Sequence, residues 1–278
     1  MAAIVEAAPA KINLALHVRR RRPDGYHDIE TLFAFLADGD VLSVAPAASD
    51  GFAVTGPFAP ALAGEGNNLV LAARDAFARA IAPLPPLAIT LDKRLPVASG
   101  IGGGSADAAA MLRAAARIAG IAGDDPRLAA CAAALGADVP ACLHGCTAFG
   151  RGTGGELAFV EGLAGIPVLL VNPGVAVSTA AVFRAWDGID RGPLGSGDPL
   201  AVTQGGRNDL EAAARRIAPD IDAVLACLGE AAGARLVRMS GSGATCFALF
   251  GSAAERSAAA AALRARRPDW WLLESTLA

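Results

Sequence analysis

An α+β fold in two domains is predicted by three features of the sequence. Strand-patterned and helix-patterned segments interleave, but without the regular alternation of a parallel α/β sheet. The texture changes near 150–165, from alanine-rich helical sequence to glycine-rich extended sequence. A length of 278 residues is also enough for two modest hydrophobic cores. The division that follows is 1–157 and 158–278.

The elements can be justified in order. "KINLALHV" (11–18) alternates strictly, with Ile12, Leu14, Leu16 and Val18 on one face and Lys11, Asn13, Ala15 and His17 on the other. That is the pattern of a half-buried strand. A Pro-Asp-Gly turn within 22–28 reverses the chain into an extended piece at 29–36. Asp38-Gly39-Asp40 predicts another turn before the short strand "VLSVA", and 46–66 reads as loop. Residues 67–81 form an amphipathic helix capped by Asn67 or Asn68. The strand 86–97 then delivers the chain to a glycine cluster, followed by a helix at 105–119. A helix at 126–135 stops at Gly136, with Pro140 blocking its continuation. "TAFGRGTGGELAFV" predicts strands around glycine turns, "VLLVNP" a strand, and 187–206 irregular chain. The last third reads helix 208–217, helix 219–232, strand 234–239, a glycine loop, strand 244–250, helix 253–266 and strand 270–274.

Composition excludes several classes. A net charge of −3 argues against a broad nucleic-acid surface, and the run Arg19–Arg22 reads as a solvated strand end. No apolar stretch approaches the roughly 20 residues of a membrane helix. The N-terminus lacks the basic and apolar blocks of a secretory signal. A soluble cytoplasmic protein, a monomer or weak homodimer binding neither nucleic acid nor membrane, is expected. Five cysteines without an export signal predict reduced thiols, and "CLHGC" has no second cluster to complete a zinc site. Of the 24 basic residues only Lys11 and Lys93 are lysines, which marks either chance or a need for a compact ammonium.

The chemistry concentrates in a few places. "ASGIGGGSADAA" (98–109) sets four glycines in five positions between a strand and a helix. Strand, bare backbone and free helix N–H groups are the design of an anion site, because phosphate reaches the main chain only where Cβ atoms are absent; a plain glycine hinge is the alternative. It is not a Walker loop, since Gly104 is followed by Ser105-Ala106. It is not a dinucleotide fingerprint either, since the third glycine would fall on Ser105. Lys11 with Asn13, Asp138 in "LGADVP", the loop "SGSGAT" (240–245) and the Tyr26-His27 pair are the other polar candidates. Tyr26 either stacks on a base or closes a small core.

In order and spacing, "PAKINLALHV", "DGYHDIETLF", "LPVASGIGGGSADAAAML", "LGADVP", "NDLE" and "SGSGATCFALF" resemble the GHMP small-molecule kinases across nearly the whole chain. The resemblance implies an N-terminal ATP domain of ribosomal-protein-S5-domain-2-like fold and a C-terminal ferredoxin-like domain. "PAKINL" with "RPDGYH" is similar to the branch that moves the ATP γ-phosphoryl to the 2-hydroxyl of a methylerythritol carried on cytidine diphosphate. It implies Lys11 and Asp138 as the catalytic pair, Asp138 taking or orienting the hydroxyl proton and Lys11 holding it ionised. ATP would be held by Lys93, Pro96, Val97, Ala98, Ser99, Gly100, Ile101, Gly102, Gly103, Gly104, Ser105 and Ala106. Lys93 falls toward the adenine in this mapping, and Ser105 toward a phosphate or Mg²⁺. Asn13 matches a substrate contact, Tyr26 and Phe183 a cytosine sandwich, His27 the base edge and Thr179 the diphosphate side.

This sequence departs from the family pattern at Ala98 and Ser99, where glycine is common, and at Ala106, where a second serine is usual. No second carboxylate for a metal is evident, so Mg²⁺ is expected to arrive on ATP. The alternatives are a homoserine- or mevalonate-type kinase of the same family, or a non-catalytic nucleotide-binding protein on its fold. A Rossmann dehydrogenase is a remote third.

Overall fold

A computed structural model of the chain describes residues 3–63 and 68–278. These residues pack as two compact units: 3–10 with 38–63, 68–97 and 102–145, and Lys11–Ala37 with Ala98–Ile101 and Cys146–Ala278. Two long strands, β1 (Ile4–Arg21) and β2 (His27–Pro46), each contribute residues to both.

In the first unit, β4 (Leu87–Asp92) pairs antiparallel with residues 41–46 of β2 and parallel with β3 (Gly51–Thr55). The helices are α1 (Leu69–Ala80), α2 (Gly103–Ala119), α3 (Pro126–Leu135) and α4 (Val139–His144), and α2 packs against the other three. Ala106, Ala108 to Leu112 and Ala114 to Ala116 are all buried, so α2 is a core helix rather than an amphipathic surface one. The Asn68 side chain caps α1 by accepting from Val70 N–H, while the alternative cap Asn67 lies outside the described residues.

Two expectations fail here. Asp38-Gly39-Asp40 makes no turn, and β2 runs through it unbroken. The glycine is required because a Cβ at 39 would lie 2.1 Å from the Ala8 carbonyl oxygen. The expected loop 46–66 contains β3 and a short 3₁₀ turn at Ala59–Leu62, its residues 64–66 lying outside the described set. No residue of β3 is fully buried, so the strand left no apolar signature to read.

In the second unit, β5 (Ala148–Arg151) pairs with residues 31–33 of β2 and forms a hairpin with β6 (Glu156–Phe159). A separate antiparallel sheet has the order β10-β7-β9-β8, from β7 (Pro167–Asn172), β8 (Ala234–Met239), β9 (Cys246–Phe250) and β10 (Trp271–Thr276). Its helices are α5 (Thr179–Arg184), α6 (Pro199–Gly205), α7 (Glu211–Ile217), α8 (Asp220–Gly229) and α9 (Ala253–Arg266). Leu169, Val171, Ala248 and Phe250 bury against Ile221, Val224, Leu228 and Leu263. Each such large side chain contributes about 1.5–3 kcal/mol by leaving water. α5 was not expected, and α6 lies in chain read as irregular.

Strand β1 is also more buried than its alternation implies. From Lys11 to Val18 every residue is buried, the polar face included. Polar partners make that possible. His17 Nδ1 faces the Gly192 carbonyl at 3.2 Å, and its Nε2 accepts from Arg207 N–H at 3.3 Å. No described helix is long and apolar enough to cross a membrane.

Candidate active site

In the first unit the glycine cluster becomes the start of a helix. Gly102 takes a left-handed φ of 66° as the N-terminal cap of α2, which begins at Gly103, two residues before its expected start. Gly104 is exposed and Gly102, Gly103 and Ser105 half-buried, so the free N–H groups of the first turn are reachable by an anion. Ala106 and Ile101 are different. Their side chains are buried in the core, leaving only backbone to offer a nucleotide.

Beneath this turn lies a buried ion cluster. Lys93 Nζ donates to Asp40 Oδ2 and to Asp107 Oδ2, each at 2.6 Å, and all three side chains are almost fully enclosed. Asp40 Oδ1 also accepts the N–H groups of Arg94 and Leu95, at 2.6 and 2.8 Å. Burial alone would lower the Lys93 pKa, but Asp107 and Asp40 outweigh it and hold it above the ordinary lysine value. Burial pushes the Asp107 carboxyl up to about 7, against the pull of Lys93 and with the push of Asp40. Lys93, mapped to the adenine by sequence, therefore spends its ammonium inside the protein, where a Cβ on Gly103 would lie 3.0 Å from Nζ. A compact ammonium fits between two carboxylates where a planar guanidinium would not.

Asp138 occupies the N-cap position of α4, yet its side chain makes no capping hydrogen bond. Pro140 does not stop a helix; it sits in the first turn of α4, where its missing N–H has no consequence.

The second unit carries Lys11. Its Nζ donates to Asn13 Oδ1 at 3.1 Å and lies 4.9 Å from the centre of the Phe33 ring. Asn13 Nδ2 donates to Thr31 Oγ1 at 2.8 Å, and Thr31 donates to the Ala15 carbonyl at 2.6 Å. The Ser99 carbonyl accepts from Thr245 N–H at 3.1 Å, and the Ile101 carbonyl from Lys11 N–H at 2.9 Å. Ser99 and Pro96 are buried, Val97 is half-buried and Ala98 exposed. Ala98 holds a φ of 51°, a left-handed conformation that costs a non-glycine residue about 1–2 kcal/mol. The family's usual glycine would adopt it freely.

The base-site candidates also lie in the second unit. Tyr26, at 62% exposed, projects from the turn after β1, where Asp24 Oδ1 accepts from its N–H at 3.0 Å. His27 is buried with its ring centroid 5.0 Å from that of Phe183, tilted by 38°. Phe183 is half-buried on α5, and Thr179, on the same helix, meets Ser242 Oγ at 2.9 Å. Burial first and the Arg21 guanidinium second hold the His27 pKa below the ordinary histidine value.

Several contributors were missed by sequence reasoning. Thr31 positions Asn13, and Trp186 meets the His27 ring edge-on at 5.7 Å. Asn208 Nδ2 donates to the Met239 and Gly241 carbonyls, both at 2.8 Å, which shapes the "SGSGAT" loop. Arg238 donates to the carbonyls of Leu14, Thr203 and Gly206. Among these Thr31 and Asn208 had a sequence signal, lying in the strings "DGYHDIETLF" and "NDLE".

Each unit carries candidate chemistry of its own: a helix start with a left-handed glycine cap and Asp138 in the first, a lysine beside an asparagine and a histidine against an aromatic ring in the second. Residues 68–146 match the GHMP kinases N terminal domain, and 197–269 match the GHMP kinases C terminal domain. The 4-diphosphocytidyl-2-C-methyl-D-erythritol kinase of Rhizorhabdus wittichii is 58% identical over 276 residues, covering 98% of this chain and 94% of that one. The enzyme of the same name from Sphingopyxis alaskensis is 54% identical, with 98% of each chain covered. A crystal structure of 4-(cytidine 5'-diphospho)-2C-methyl-D-erythritol kinase matches with a TM-score of 0.81 at 37% identity over 99% of both chains. A homoserine kinase from Cytophaga hutchinsonii shares the fold, with a TM-score of 0.70 at 19% identity. The chain belongs to the GHMP kinase family.

Proposed function

We propose that the chain is an ATP-dependent kinase that phosphorylates the 2-hydroxyl of 4-diphosphocytidyl-2-C-methyl-D-erythritol, a step of the non-mevalonate isoprenoid pathway. The observation that carries this choice within the family is the base site. An exposed Tyr26, a buried His27 and Phe183 beside it suit a nucleobase, which homoserine and mevalonate lack. In this reading 1–157 form the ATP domain and 158–278 the substrate-side domain of a soluble cytoplasmic enzyme, a monomer or weak homodimer.

ATP supplies the γ-phosphoryl group and brings Mg²⁺ on its phosphates. Among the described residues no group of three or more His, Cys, Asp or Glu side chains is arranged to hold a metal. The N–H groups at the start of α2 meet the phosphates, and Ser105 adds a hydroxyl. Asp138 orients the acceptor hydroxyl and takes its proton, while Lys11 stabilises charge on the transferring group. Phosphoryl transfer needs little covalent work from the protein, so positioning and electrostatics suffice. Lys93 enters this scheme through the ion cluster beneath the loop rather than through the adenine.

Coupled assay of ATP consumption with the cytidyl alcohol, homoserine and mevalonate tests the reading. Turnover with the cytidyl substrate is expected; turnover with homoserine alone would sink it.

A further inference from the structure

Arg21 belongs to the basic run that the sequence presents as a solvated strand end, but the structure gives it two specific bonds. Its Nε donates to His27 Nε2 at 3.4 Å, and its Nη2 donates to the Arg184 carbonyl at 3.2 Å. Arg184 is the last residue of α5, and that same short helix carries Thr179 and Phe183. One side chain therefore ties the His27 ring to the helix that holds Phe183, the other ring of the candidate base site, and Thr179. His27 is further confined, with Phe183 against its ring at 5.0 Å and Trp186 edge-on at 5.7 Å.

A guanidinium can donate but never accept. The His27 nitrogen that faces it must therefore present a lone pair, because an N–H there would set donor against donor. That condition excludes both the imidazolium and the tautomer protonated on Nε2. Only the neutral form with its hydrogen on Nδ1 satisfies the contact.

We propose that Arg21 is a positioning residue for base recognition, fixing His27 as the neutral Nδ1–H tautomer so that its ring offers one donor to an acceptor atom of the nucleobase. The proposal rests on the cytidyl reading above and sharpens its chemistry. Cytosine presents acceptors at both ring N3 and the O2 carbonyl, whereas uracil carries a hydrogen on N3. A fixed donor aimed at N3 favours cytosine over uracil; one aimed at O2 accepts either.

The chain has three histidines, so each tautomer is readable in long-range ¹H–¹⁵N spectra of histidine-labelled protein. His17 is an internal control, since its Nε2 accepts from Arg207 N–H and its hydrogen must also sit on Nδ1. Arg21→Met is expected to move His27 toward the Nε2–H form while His17 keeps its pattern. It should raise KM for the cytidyl substrate about fivefold to tenfold, the scale of one hydrogen bond, with kcat and the ATP KM unchanged. Arg21→Gln, whose amide still donates, should retain the Nδ1–H tautomer and most of the affinity. An Arg21→Met protein whose His27 stays Nδ1–H, or whose substrate KM does not move, overturns the proposal. Should the wild type fail to turn over the cytidyl substrate, the base-recognition role falls with the functional reading, while the spectra decide the tautomer independently.

Discussion

Gly100 and Ser240 meet backbone to backbone: a Cβ on Gly100 would lie 2.6 Å from the Ser240 carbonyl oxygen. The Ser240 hydroxyl completes the contact, donating to the Gly100 carbonyl at 2.9 Å and accepting from Asn13 N–H at 3.2 Å. This glycine makes room for protein rather than for phosphate. Gly100→Ala should destabilise the protein by about 2–4 kcal/mol, from overpacking plus strain at a φ of 78°. Urea unfolding reads it, and an unchanged midpoint would show that the two loops can part at no cost.

Asp138 is predicted to act in turnover. Asp138→Asn should leave ATP affinity close to wild type. Turnover should fall at least about a hundredfold, on the scale of general-base and electrostatic contributions. Near-normal kcat in the variant would remove Asp138 from the mechanism.

Tyr26 offers the simplest check on base stacking. With 62% of its surface exposed it supports little core, so Tyr26→Ala should not lower stability appreciably. The KM for the cytidyl substrate should rise about fivefold to a hundredfold, since aromatic–base stacking is worth about 1–3 kcal/mol. The ATP KM should hold. If neither KM moves, Tyr26 does not touch the base.

The Asp40–Lys93–Asp107 cluster predicts a pH dependence of stability. Asp107 titrates near 7 in the fold against 3.8 in its ordinary setting, so the folded state keeps a proton that the unfolded chain releases in between. The favourable contribution of this site is complete below about pH 4 and is lost as pH rises toward about 7. Asp107→Asn has no proton to release. The stability difference between variant and wild type should therefore shift in favour of the variant across that window, followed by urea unfolding at several pH values. A difference that stays constant with pH would contradict the assignment.

How much of this was legible depended on whether a local signal existed. Helices α3 and α9 run where the sequence placed them, because Asp125 before Pro126 and Ser252 three residues before Glu255 mark their starts. The glycine cluster was correctly read as the entry to a helix. Its individual glycines could not be sorted, since Gly100 answers to Ser240, far away in the chain, and Gly103 to Lys93. Gly39 misled for the same reason, its need arising from Ala8 across the sheet. Lys93 was visible as one of two lysines, but burial between Asp40 and Asp107 is a tertiary fact with no local trace. Helix α5 is a single short turn sequence whose purpose, carrying Thr179 and Phe183, emerges only from what it packs beside.

Both lysines of the chain lie in the interior, Lys11 and Lys93 each at 2% exposure. The remaining basic side chains, three histidines aside, are guanidinium groups, which do not react with amine-acylating reagents. Apart from the terminal amine, the folded surface therefore offers such reagents no amine. Each acylated lysine records a moment when the interior opened, with Lys11 reporting from one compact unit and Lys93 from the other. The protein thus carries two native probes of local unfolding, readable by mass spectrometry without any label being engineered into it.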